Sequence, residues 1–168
     1  MSSGFALAAG SDVDSAYWGR IIGSMVLMAG GLALTSGPAT EAIMGTLPAG
    51  RVGAGSAVND TTREIGGTLG VAIVGSVMSS IYAARVVENL AGSSLSAGAA
   101  ANATRSVTAG FQSIALVPPA EAGKVAAAVS QAFLDGIAAG SWVAAGATGI
   151  AAVAVLLFLP ARHRESVG

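Results

Sequence analysis

The side chains best placed to do chemistry are clustered: Asn59, Asp60, Arg63 and Glu64 follow one another closely, with Glu41 and Arg51 shortly before them. All adjoin long apolar runs, where a charge is costly to bury unless it is paired or hydrated. One reading pairs Arg63 with Asp60 at i,i+3 on a single helix and makes Thr61-x-x-Glu64 a capping box at that helix's start. Another joins Arg63 to Glu41 on the preceding helix, as an ion pair that breaks and remakes when the two helices move.

Other chemistry lacks parts. The chain has no cysteine, which removes disulfides, thiolate nucleophiles and cysteine-based zinc sites. Its one histidine, His163, lies in a short polar tail away from any acid or nucleophile that could complete a catalytic or metal-binding set. Gly53-Ala54-Gly55-Ser56-Ala57-Val58 half-matches a dinucleotide fingerprint, without the third glycine or a preceding strand. Asn59-Asp60-Thr61 and Asn102-Ala103-Thr104 match glycosylation sequons, which are short enough to arise by chance. No enzyme is expected, and no catalytic residue, metal or cofactor.

The elements that position the charges follow from composition. Of 168 residues, 53% are apolar and 10% charged, and the mean hydropathy is +0.70; an ordinary soluble domain carries roughly 25% charge. The expected partner of so much apolar surface is the lipid bilayer. A net charge of −1 with scattered arginines supplies no field for nucleic acid.

A span needs about 20 predominantly apolar residues to cross roughly 30 Å of hydrocarbon. Three uncharged windows are long enough: Arg20 to Glu41, Glu64 to Arg85, and Asp135 to Arg162. The predicted class is all-α, with three full membrane spans plus the end of a fourth. Residues 1–10 read as the end of a span that is already under way, 18–45 as a transmembrane helix bent near Pro38, 46–56 as a short cytoplasmic loop, and 57–85 as the second helix. Residues 86–135 read as a long extracytoplasmic loop. Within it the window from Asn89 to Thr104 is too poor in large apolar residues to insert. Pro118-Pro119 breaks the loop, after which Val125, Val129, Ala132 and Phe133 recur at helical spacing. That spacing fits an amphipathic helix lying on the membrane surface, the other reading being a partly disordered loop. Residues 136–160 form the last span and 161–168 a cytoplasmic tail.

Arg51, Arg162 and Arg164 share one side, which the positive-inside rule makes cytoplasmic; Arg20, Arg85, Asp12 and Asp14 fall on the other. Tyr17, Trp18 and Tyr82 are expected at that outer interface, where amphipathic rings sit at headgroup level. The location that follows is the cytoplasmic membrane, crossed several times.

At 100° per residue Asn59, Arg63, Gly66 and Gly70 fall on one stripe. Gly66 and Gly70 make a small-xxx-small pair that lets another helix approach closely. One reading of the stripe is helix packing alone. In the sharper one, Arg63 and Glu41 belong to an intracellular gate beside it.

Three stretches then carry a resemblance: Gly37-Pro38 closing a glycine-rich helix; Leu47-Pro48-x-x-Arg51-x-Gly53-x-Gly55-Ser56-Ala57; and Thr62-Arg63-Glu64-Ile65-Gly66-Gly67-Thr68-Leu69-Gly70-Val71-Ala72-Ile73. Together they resemble the 14-helix drug:proton antiporter branch of the major facilitator superfamily. Gln131-Ala132-Phe133-Leu134-Asp135-Gly136 is similar to the approach to that branch's last span. The resemblance covers the last three helices of such a transporter. It implies efflux of a small cationic or amphipathic substrate in exchange for protons, by alternating access of two six-helix bundles. It also implies packing and loop roles for Gly37, Pro38, Arg51, Arg63, Gly66, Gly67 and Gly70. Two acids depart from the pattern: Glu64 stands where the branch often has glutamine, and Asp60 is additional. The expected partners are a missing amino-terminal transporter half or a second copy of the chain. The alternative is a small standalone membrane protein that oligomerises or modulates a transporter.

Overall fold

The computed structural model describes residues 1–10 and 17–158, and every regular element among them is helical. The expectations placed on Asp12, Asp14, Arg162, His163 and Arg164, and on the rings of Tyr17 and Trp18, lie outside the described residues. The elements are α1 (Ser2–Ala9), a π turn (Tyr17–Ile21), α2 (Ile22–Met44), a 3-10 turn (Ala49–Arg51) and α3 (Val52–Asn89). After these come α4 (Ala97–Ala103), α5 (Val107–Gln112), a 3-10 turn (Ser113–Leu116) and α6 (Pro119–Phe158).

Three of the helices, Gly19–Met44, Val52–Asn89 and Pro119–Phe158, are long and apolar enough to cross a membrane, as expected of a multi-pass membrane protein. Their outward faces carry large apolar side chains such as Leu34, Val71, Ile150 and Leu156, which lipid can cover and water cannot. Hydroxyls within these helices are satisfied along the helix itself. Thr35 donates to the Gly31 carbonyl, Thr40 to Ser36, Thr61 to Ala57, Thr62 to Val58 and Thr68 to Glu64, the local solution that hydrocarbon demands. α2 runs through Pro38 as one helix.

α3 and α6 form the central antiparallel pair. α1 runs antiparallel to α2, with Gly4 beside Ser24 and Met28 and Gly23 beside Leu7, and it also packs on α6, where the Ser2 hydroxyl donates to the Ala145 carbonyl at 2.8 Å. α2 therefore joins the pair chiefly through α1, touching α3 less.

Two boundaries differ from the sequence reading. α3 starts at Val52 rather than 57, because the extended backbone at Pro48 (φ −59°, ψ 143°) and one 3-10 turn complete the reversal. Thr61 is consequently inside the helix, with its hydroxyl on Ala57, so the capping box with Glu64 does not form. The second difference is larger. Residues 86–135 are not mostly loop: α3 continues to Asn89 and α6 begins at Pro119, running unbroken to Phe158. The amphipathic pattern is present, but it packs on protein instead of lying on lipid. Val125, Val129 and Ala132 are buried in a small core with Tyr82, Val86, Leu90 and Ala103.

The connection from Leu90 to Pro118 folds over this core as a cap. Gly92, at φ +83°, makes the turn after α3 in a conformation that glycine adopts without strain. Ser96 caps α4 by accepting from the Ala99 N–H, and Ser106 caps α5 by accepting from the Ala109 N–H. Tyr82 packs its ring inside the protein: it is 5% exposed, and its hydroxyl donates to the carbonyls of Ala103 and Ser106 at 3.0 and 3.1 Å, tying the cap to α3.

Candidate functional site

The two long helices approach closely because α6 offers a row of small residues. Ala132, Gly136, Gly140 and Ala144 recur every four positions and are all buried. A Cβ built on Gly136 would come within 2.9 Å of the Met78 carbonyl oxygen, and one on Gly140 within 2.6 Å of the Met78 Cγ. This is the small-xxx-small arrangement expected of membrane helices, on a different helix from the one the sequence reading singled out. The four-residue spacing from 132 to 144 was the signal that could have found it.

Where the seam leaves its apolar stretch, charges meet. Arg85 of α3 stands with Nε 3.3 Å from Oδ2 of Asp135 on α6, and with Nη1 2.7 Å from Oε2 of Glu88. These are the residues that end two of the uncharged windows, so the charged ends of both windows stand at the same level along the seam. From Arg85 back to Glu64 is about 30 Å of helix, the thickness of the hydrocarbon. Beyond the boundary, Glu121 near the start of α6 accepts from the Ser94 hydroxyl at 2.8 Å and the Ser94 N–H at 3.1 Å. These two bonds hold its carboxyl below the ordinary value of 4.5, the hydroxyl contributing most.

The opposite end holds the charges singled out from sequence. Glu41, Arg51, Asp60, Arg63 and Glu64 are all exposed and make no ion pair among the described residues. The Asp60–Arg63 pairing is thus not formed, and Glu41 and Arg63 are not joined in this conformation. Arg63 instead directs Nη2 to the Ser36 hydroxyl on α2 at 3.4 Å, a weak contact beside Gly37 and Pro38. Arg51 and Arg63 share a cavity of about 410 Å³, walled by Ile43, Leu47 and Val58; Leu47 lies against Gly55, where any side chain would collide with it. Gly37, Gly66, Gly67 and Gly70 have open space where a Cβ would stand, so the glycine stripe packs on nothing among the described residues. No group of three or more metal-ligating side chains is found among them.

No family model, curated protein or solved structure matches the chain. The likeness to the 14-helix antiporters therefore rests on the motif residues alone.

Proposed function

We propose that the chain is the carboxy-terminal part of a proton-coupled efflux transporter of the major facilitator type, one that carries small amphipathic or cationic molecules across the cytoplasmic membrane. The observation that carries this reading is the approach of Arg63 to Ser36. It brings the Gly37-Pro38 stretch within α2 and the Thr62–Ile73 stretch of α3, two of the three segments that resemble the antiporters, together at one point. Charged residues that are exposed and form no ion pair among the described residues can exchange partners as helices move, which a gate needs. The open faces at Gly66, Gly67 and Gly70 add further support, since such faces accept the backbone of another helix.

On this reading substrate sits between two bundles, and the chain by itself inserts in the bilayer but exports nothing. Reading the DNA upstream of the Met1 codon tests the first half: an open frame encoding further hydrophobic spans is expected, and its absence counts against the proposal. Ethidium efflux from cells tests the second. The chain alone should match an empty vector, whereas the continuous polypeptide should export ethidium and lose activity with Arg63→Ala.

The unpacked glycine face also favours a second reading, a small membrane protein that self-associates or modulates a partner transporter. Gly66→Cys separates the two in this cysteine-free chain. Rapid disulfide linkage between two copies supports self-association; its failure supports the transporter part.

A further inference from the structure

We propose that the groove between α3, α5 and α6 binds an anionic phospholipid, with Arg105 on the phosphate and an acyl chain along the apolar wall below. A cavity of about 220 Å³ opens there, lined by Gly75, Met78, Phe133 and Gly136 at its apolar end and by Arg105 and Ser106 at its polar end. Arg105 is exposed, and its guanidinium has no hydrogen bond or ion pair among the described residues.

The height of the groove is set by its neighbours. Ser106 is fastened to Tyr82, one helical turn from Arg85, whose pair with Asp135 marks the edge of the apolar stretch. Arg105 is therefore at headgroup level. Gly75 and Met78 lie about 10–15 Å from Arg85 along α3, at the depth of acyl chains. A cation above and an apolar slot below match a phospholipid whose head is an anion.

The charges around the groove agree with this assignment. Asp135, next to Gly136, is paired with Arg85 at 3.3 Å, which Glu88 shares at 2.7 Å, so with Arg105 two cations face two carboxylates around the groove. The cavity at the other end is less suited, because Arg51 and Arg63 are outnumbered by Glu41, Asp60 and Glu64 nearby. Gly75 borders the open slot: a Cβ there would meet nothing within 4 Å, so only a larger side chain would fill it. The inference needs only that α3 and α6 cross a bilayer, and it stands apart from the transporter reading.

Native mass spectrometry of the delipidated chain in detergent, titrated with dioleoylphosphatidylglycerol, tests it against dioleoylphosphatidylcholine and inorganic phosphate. Phosphatidylglycerol should be retained in preference to phosphatidylcholine. Arg105→Gln should weaken that retention about fivefold, and Arg105→Lys should preserve it. Gly75→Leu should block binding while helix content and thermal stability stay as in the parent chain. Equal retention of the two lipids, full retention by Arg105→Gln, or displacement of phosphatidylglycerol by inorganic phosphate would each overturn the proposal.

Discussion

Arg85 and Asp135, fifty positions apart in sequence, form an ion pair at 3.3 Å across the α3–α6 seam. Their side chains are 48% and 33% exposed, so screening by water leaves the pair weak. Asp135→Asn should lower the midpoint of unfolding in mixed micelles slightly, and high salt should erase the difference between variant and parent. An effect that persists at high salt would mean that Asp135 acts through packing rather than charge.

The glycines of α6 and α3 should respond oppositely to the same change. Gly136→Ala drives a methyl against the Met78 carbonyl oxygen, a backbone atom that cannot swing away. The cost expected of such overpacking is about 1–3 kcal/mol. Gly70→Ala meets open space and should leave stability unchanged or raise it by a fraction of 1 kcal/mol through helix propensity. Unfolding of the two variants in the same detergent checks both.

Tyr82→Phe removes the donor to the Ala103 and Ser106 carbonyls while keeping the ring in the core. A loss of about 1–2 kcal/mol is expected, concentrated in the cap. Limited proteolysis is the direct measurement: cleavage between residues 91 and 117 should accelerate, whereas cleavage in α2 should not change.

Acid should loosen the same cap. Glu121 lies outside the membrane-spanning part of α6, and the Ser94 bonds depress its folded-state pKa below 4.5. A depressed carboxyl stabilises the folded state above its unfolded pKa, and that contribution disappears as pH falls through the lowered folded value. Hydrogen exchange around Ser93–Leu95 should therefore quicken on acidification beyond the intrinsic trend. Glu121→Gln should already be fast at neutral pH and lose that extra dependence.

The three long helices were legible because ionisable residues end their apolar windows, and lipid enforces that pattern directly. What happens beyond those ends was not. Asp135 reads as the edge of a span, yet Arg85 pairs with it and the Ala-rich backbone continues as helix on both sides of it. Val125, Val129 and Ala132 announce an amphipathic face, yet periodicity does not say whether that face meets lipid or protein. Val86 and Leu90 decided it. Two small-xxx-small rows were present in the chain, and only tertiary contact distinguishes Gly136 and Gly140, which pack, from Gly66 and Gly70, which stay open. Arg63 had an acid three residues before it and took a hydroxyl on the preceding helix instead, a choice fixed by how α2 returns into α3.

The unbroken course of α6 from Pro119 to Phe158 makes it a rod about 60 Å long. The segment under the cap and the apolar segment beyond Asp135 share one axis, so a tilt of about 5° imposed on the cap would sweep the far tip sideways by a few ångströms, within the rigidity of a single helix. A binder that grips residues 97–117 would thus displace the Phe158 end without touching it.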